Sequence, residues 1–214
     1  MGVPAVSDQQ AQWFEAGPSA SPAEAQALRD FRSLLLPSPT TWAWSNLTFI
    51  DPSGRPSEID VILLHRNGLF LLEFKGFHGT IEGNQQDWRL TAPTGAVRST
   101  RNPFLNTQTK AQRLKSLLER LQGRQAGGGN QLPWIKAITV LHGRDSVVDL
   151  DPVAGTDTYG LDDFNVRGVP PLSEYLARVP NDILDAVDVK RAKELVAVIG
   201  LAGFTAPPRT RKVG

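Results

Sequence analysis

Two acids and a lysine stand close together in an otherwise apolar stretch. Asp60 closes Glu58-Ile59-Asp60, and Glu73-Phe74-Lys75 ends the run Leu69-Phe70-Leu71-Leu72. Between the two lies Asn67-Gly68, which predicts a two-residue type I′ hairpin turn because that turn needs positive φ at both positions. With such a turn Arg66 faces Leu69, Asp60 faces Lys75 and Ile62 faces Glu73. Opposed residues share a sheet face, so Asp60, Ile62, Glu73 and Lys75 point one way. Asp60 and Glu73 are then diagonal neighbours about 7–8 Å apart at Cα. Two readings fit. One is a cross-strand ion pair of Asp60 with Lys75, with Glu73 diagonally near the same ammonium. The other is a pair of carboxylates reaching one hard divalent cation beside that ammonium. Either answers the same difficulty: a continuous apolar run marks a strand covered on both faces, and charge at its end is costly unless paired or metal-bound.

The elements that must carry these residues can be read around them. A helix is predicted from Ser21, where Ser21 caps, Pro22 suits the first turn and Glu24 completes an S-x-x-E capping box. Leu28, Phe31 and Leu35 follow at helical spacing and Pro37 ends the run. Glu24 falls on the same stripe as Leu28 and Phe31. Strands are predicted at Thr41–Ile50, Glu58–Arg66, Leu69–Lys75, Thr80–Leu90 and Ile135–Leu141. Arg98–Pro103 reads as a loop into a helix over Asn106–Gln122, with the stripe Ala111, Leu114, Leu118 and Leu121. Gly127-Gly128-Gly129-Asn130 is a connector without the lysine of a phosphate-binding loop. Beyond Asp145 the chain is loop-rich, with short helices expected at Leu172–Val179 and Val187–Ile199.

This divides the 214 residues into a loose leader (1–20), a core (21–145), a helical and loop-rich extension packed on it (146–204), and a Pro-rich basic tail (205–214) of linker composition. Cysteine is absent, which excludes disulfides, thiolate zinc sites and cysteine nucleophiles. No apolar run approaches the roughly 18–20 residues that span a bilayer, and Met1–Phe14 lacks the pattern of a secretory signal; a cytoplasmic location is expected. The net charge of +1 hides an asymmetry: Arg98–Arg124 holds seven bases and one acid, whereas Asp145–Asp188 holds ten acids and two bases. Such a division is either two solvated surfaces or a basic face for a polyanion.

An ordered set of motifs joins these features: Glu24 on the first helix, Glu58-Ile59-Asp60, Glu73-Phe74-Lys75, then Gly79-Thr80-Ile81-Glu82-Gly83 with Trp88, and Asn102-Pro103 before a helix. The set resembles the nuclease-related domain, NERD, of the PD-(D/E)xK nuclease superfamily, over about Glu24 to Leu121. The resemblance implies an α/β fold, a mixed central sheet flanked by helices with a restriction-endonuclease-like core. It also implies a metal-dependent deoxyribonuclease in which Asp60, Glu73 and the carbonyl of Phe74 hold Mg2+ or Mn2+. Lys75 would orient or help deprotonate the attacking water and support the phosphate, and Glu24 would join the catalytic set. A glutamine that many members carry three residues beyond the N-P proline is Asn106 here, with Gln108 two residues later. The helix from Asn102 through Lys115 resembles the variant found ahead of serine/threonine kinase domains in bacterial phage-growth-limitation and BREX defence systems, in which Lys110 faces the site. Such a chain would be a fragment whose tail leads into a kinase; its own 214 residues hold no kinase motif.

Arg98, Arg101, Lys110, Arg113 and Lys115 are the candidate phosphate contacts. Arg113 and Lys115 flank Leu114, so only one of them is expected to face the site. His65, His78 and His142 have no zinc spacing, and His78 is the one expected near Lys75. Most of the five tryptophans are expected to pack in the core rather than stack on bases. Three functions follow from different classes: a DNA-cutting enzyme, a catalytically silent nucleic-acid sensor regulating a kinase, and a structural or oligomerising domain whose hairpin charges are only ion pairs. The partners these readings call for are DNA, an attached serine/threonine kinase with other defence-system proteins, and a second copy of the chain; a membrane is not among them.

Overall fold

A computed structural model of the chain describes residues 12–51, 53–125, 132–162, 165–180 and 186–204. The expected Gly-rich connector and basic tail lie outside these residues. The first sheet runs in the order β1-β2-β3-β4-β8-β10. Its strands are β1 Gln12–Glu15, β2 Trp42–Ile50, β3 Pro56–His65, β4 Gly68–Lys75, β8 Ile135–Leu141 and β10 Thr158–Gly160. The second runs β11-β9-β5-β6-β7, from β5 Thr80–Gly83, β6 Asp87–Thr91, β7 Val97–Arg101, β9 Ser146–Leu150 and β11 Val166–Arg167. Four helices accompany them among the described residues: α1 Pro22–Leu34, α2 Pro103–Gln125, α3 Leu172–Ala177 and α4 Val189–Gly200. The fold is therefore mixed α/β with two mixed sheets, where the sequence predicts a single central one.

Alternation along β3 and β4 sorts their side chains between two helical layers. Val61, Leu63, Phe70, Leu72 and Phe74 pack with Ala27, Leu28 and Phe31 of α1 and Leu172 and Leu176 of α3. Ile62, Leu64, Leu69 and Leu71 pack with Ala111, Leu114 and Leu118 of α2 and Ala192, Leu195 and Ile199 of α4. Burial on both faces is what the unbroken Leu69–Leu72 run requires.

Several sequence-based boundaries move. Gln12–Glu15, expected in a loose leader, pairs parallel to β2, because Phe14 stacks on Trp42 and Trp44 at 5.9 and 5.8 Å and is buried there. The expected loop at Arg98–Pro103 is largely β7, paired antiparallel to β6. The single strand expected over Thr80–Leu90 is the hairpin β5–β6. The expected extension supplies β9 and β11 to the second sheet and β10 to the first, so it is woven into both sheets rather than only laid on them. Helix α2 begins at Pro103 because Asn102 caps it: its Oδ1 accepts from the Phe104 N–H at 3.0 Å, while its Nδ2 donates to Gln85 O at 3.1 Å.

The hairpin register also differs. His65 faces Gly68 and Val61 faces Leu72, so the loop is Arg66-Asn67 and only Gly68 carries positive φ, at 131°. Tertiary contacts explain the shift. The Asn67 amide is buried and donates to Leu176 O at 3.1 Å and Arg178 O at 3.0 Å, and Arg66 Nη2 donates to Ala177 O at 2.7 Å. The end of α3 thus claims both residues, leaving the glycine to turn the chain.

The two glycines of Gly79-Thr80-Ile81-Glu82-Gly83 bracket β5 for steric reasons. Gly79 has φ 82°, and a Cβ there would lie 2.1 Å from Thr91 O. Gly83 has φ 150°, and its Cβ would lie 2.4 Å from Asp87 O. Between them Ile81 packs with the fully buried Trp88. No helix of the described residues is long and apolar enough to cross a membrane.

Gly79→Ala is expected to destabilise the chain by roughly 2–4 kcal/mol in urea unfolding. Gly95→Ala is the control, since Gly95 has φ 84° with open space around it; it should cost only about 1–2 kcal/mol, the backbone strain. Equal losses at the two positions would show that the clash with Thr91 contributes nothing.

Candidate metal-dependent active site

The register of β3 against β4, continued one pair beyond Val61 and Leu72, sets Asp60 directly beside Glu73. Sliding a hairpin by two residues leaves every side chain of β4 on its face, so Glu73 and Lys75 keep the side that holds Leu71 and α2; Asp60 sits where the faces of β3 exchange, since Ile59 packs in the α2 layer and Val61 in the α1 layer. Glu73 is buried at 6% exposure, and each carboxylate oxygen meets an ammonium. Lys75 Nζ donates to Oε1 at 2.8 Å, and Lys110 Nζ, from the first half of α2, donates to Oε2 at 2.7 Å. The ion pair expected between Asp60 and Lys75 is replaced by this double pair on Glu73. Asp60 instead accepts the Phe74 N–H on Oδ2 at 2.7 Å.

Burial raises the Asp60 carboxyl, the adjacent Glu73 charge raises it further, and together they bring its pKa up to about 6 against the lowering effects of the Phe74 N–H and Lys75. Glu24 adds a smaller push in the same direction. Glu24 reaches this region although α1 lies on the opposite layer. Its backbone N–H donates to Ser21 Oγ at 3.2 Å, as the capping box predicts, while its Oε1 accepts from the Ala20 N–H at 3.3 Å. Ser21 thus caps α1, the return bond of the expected capping box goes to Ala20 instead of Ser21, and Glu24 lines the cleft.

That cleft has a volume of about 880 Å³. Glu15, Glu24, Glu58, Asp60 and Glu73 line it, against Lys75 and Lys110. Phe14, Trp44 and Phe204 give it an apolar flank. Glu15 and Asn46 on its wall had no sequence motif to announce them; Asn46, with φ 56° inside β2, is legible only as an asparagine in an otherwise strand-forming run. Among the described residues no three His, Cys, Asp or Glu side chains gather as a metal cluster. A cation here would rest on Asp60, Glu73 and backbone, with water or substrate oxygens completing its shell. Magnesium accepts that, since it binds through one or two carboxylates and keeps several waters. The donors are hard oxygens, one pair of them on the Asp60 carboxyl, which accepts the Phe74 N–H and whose pKa is raised chiefly by burial.

The other candidates scatter. Arg98 is exposed on β7 with its guanidinium 5.5 Å from the Phe77 ring centroid, and Arg101 is exposed at the end of the same strand. Arg113 pairs with the buried Asp51 at 3.4 Å, and Lys115 pairs with Glu119. Neither of the two lines the cleft, whereas one was expected to. Gln108 borders a separate hollow with Trp134, and the exposed Asn106 is likewise absent from the cleft wall. His142 abuts the end of β4: its ring lies 6.2 Å from that of Phe74, and its backbone N–H donates to Lys75 O at 3.1 Å.

Residues 19–142 match the model of the nuclease-related domain, NERD. The chain belongs to that family. NERD therefore spans Glu24, the β3–β4 hairpin, both glycines of β5, Asn102 and Lys110. The chain is also 27% identical over 180 residues to a protein of Streptomyces coelicolor described as a probable kinase, PglW. That match covers 84% of this chain but 11% of the relative, so the chain spans about a tenth of its length. No solved structure matches the chain.

A carboxyl whose pKa is raised in the folded state costs stability once it ionises. Between 3.8 and about 6 the folded chain holds more protons than the unfolded one, so this contribution falls away as pH rises through that window. Asp60→Asn keeps an acceptor oxygen for the Phe74 N–H. Without metal it should exceed the parent in stability above about pH 6, by at most about 3 kcal/mol, and match it below about pH 4. Urea unfolding in chelator across that range checks this. Parent-like stability at neutral pH would remove the electrostatic account of Asp60.

Proposed function

We propose that this NERD chain hydrolyses phosphodiester bonds in DNA with a divalent metal, as an endonuclease domain of restriction-endonuclease-like core. The observation that carries the reading is the juxtaposition of Asp60 and Glu73 across two central strands, with Lys75 bound to Glu73 in an open cleft. Asp60, Glu73 and the Phe74 carbonyl are the groups to hold Mg2+ or Mn2+. When bound, such a cation offsets phosphate charge and lowers the pKa of water. The cleft needs that help: five carboxylates against two ammonium groups repel a polyanion until positive charge is added. Lys75 reaches from the strand end toward the same space, where its charge would support the phosphoryl oxygens as they gain negative charge. Lys110 holds the far oxygen of Glu73 and fixes that side chain. Glu24 closes the acidic wall.

The similarity to a probable kinase over a small share of its length supports an attachment to a kinase within a longer protein; the setting we infer for it is bacterial antiphage defence of the phage-growth-limitation or BREX kind. A second reading has its own observation. Both oxygens of Glu73 are already held by lysines, which suits a domain that kept the nuclease fold as a nucleic-acid sensor for that kinase.

Plasmid nicking by the 214-residue chain in Mg2+, Mn2+ or chelator separates the two. Metal-dependent nicking is expected, reduced at least about 100-fold by Asp60→Ala and by Lys75→Ala. Salt-sensitive DNA binding with no nicking in any metal would establish the sensor instead. Nicking at the parent rate by Lys75→Ala would sink the assigned chemistry.

A further inference from the structure

Asn46 is a backbone exception in the middle of a strand. Its φ is 56°, in the left-handed region that non-glycine residues enter at a cost and asparagine enters most readily. The β2–β3 ladder pairs Ser45 with Val61 and Leu47 with Ile59 and omits the pair between them. By that register the residue facing Asn46 is Asp60. The distortion therefore falls at the strand position beside the carboxyl that the cleft depends on, and Asp60 turns to the Phe74 N–H on its other side. Unusual backbone of this kind persists only where surrounding contacts hold it.

Two hydrogen bonds from its side chain hold it. Asn46 Nδ2 donates to Gly17 O at 2.9 Å and to Ser19 Oγ at 3.3 Å. The segment it grips continues directly to Ala20, whose N–H holds Glu24 Oε1 at 3.3 Å, and to Ser21, which caps α1. Gly17, Ala20, Glu24, Asn46 and Asp60 all line the cleft. Helix α1 packs on the far layer of the sheet, so its first turn needs a tether to present a carboxylate on this wall. The geometry points to Asn46 as that tether: a positioning residue that holds the 17–20 segment, and through it Glu24, at the metal-binding side of Asp60. This rests on the reading of the cleft as a metal site.

The test is titration of Mn2+ alone, followed by calorimetry, into the parent, Asn46→Gly, Glu24→Gln and the double variant. Glycine keeps the positive φ and removes only the amide; glutamine keeps an acceptor for the Ala20 N–H. Each single change is expected to weaken Mn2+ about tenfold, as loss of an orienting partner does. The double variant should be no weaker than either, because both act on one element. Ser19→Ala, which leaves the strand untouched, should weaken Mn2+ by less than Asn46→Gly and keeps the test open if the latter fails to fold. Parent-like affinity in Asn46→Gly with loss in Glu24→Gln overturns the proposal, as do losses that multiply in the double variant. No Mn2+ binding by the parent overturns the metal reading of the cleft and this proposal together, a distinct result.

Discussion

Everything near the cleft is organised around one buried carboxylate. Glu73 sits near the end of the central strand β4, with β3 on one side and β8 on the other and a helical layer above. Removing a carboxylate from water costs several kcal/mol unless its oxygens are paired, and here each oxygen has its own ammonium, one from the same strand and one from α2. The pairing fixes more than charge. It holds Lys75 pointing back along the face it shares with Glu73, and it sets the azimuth of α2, whose Ala111, Leu114 and Leu118 must meet the sheet on the same side. Asp60 receives no such partner. Its own burial and then its neighbour's negative charge raise its pKa, and its hydrogen bond is to the Phe74 N–H instead of to an ammonium.

The elements around this carboxylate are held by small, local devices with steric or hydrogen-bonding reasons. Gly79 and Gly83 let the chain leave the first sheet after β4 and pair as β5 in the second without collision. Asn102 ends β7 and starts α2, and its side chain ties both to the β5–β6 turn through Gln85. Asp51 accepts from the N–H groups of Ser53 and Arg55 and pairs with Arg113, so the β2–β3 connection is fastened to α2 as well; those bonds, chiefly from the Ser53 hydroxyl, hold its pKa down to about 2. Motifs that read as a family signature in the chain thus have separate physical duties. Some shape backbone, one caps a helix, and only a few reach the cleft.

Much of the site was legible because alternation in a strand is insensitive to an even slip. The type I′ turn predicted for Asn67-Gly68 was displaced, and Asp60 faces Glu73 rather than Lys75. Yet a two-residue slip preserves the face of every side chain of β4, and Asp60, Glu73 and Lys75 still line one cleft. The basic residues of α2 were less legible. Charge and spacing marked Lys110, Arg113 and Lys115 alike, but their partners differ: a cleft carboxylate for the first, Asp51 for the second, Glu119 for the third. Which carboxylate comes within reach of a lysine is a property of packing between distant segments.

The sequence by itself determined the local terms: the cap at Ser21, most strand faces, the glycine positions around β5, and the presence of two acids and a lysine at the end of a buried hairpin. These depend on residues within a few positions of one another, where propensity, period and turn chemistry act directly. Tertiary structure alone decided the hairpin register, the second sheet, the entry of Gln12–Glu15 as a strand, the double ion pair on Glu73 and the left-handed kink at Asn46. Each of those is settled by a contact between segments far apart in the chain. A buried polar group takes whichever partner the fold brings within hydrogen-bonding distance, and spacing along the sequence does not record that distance.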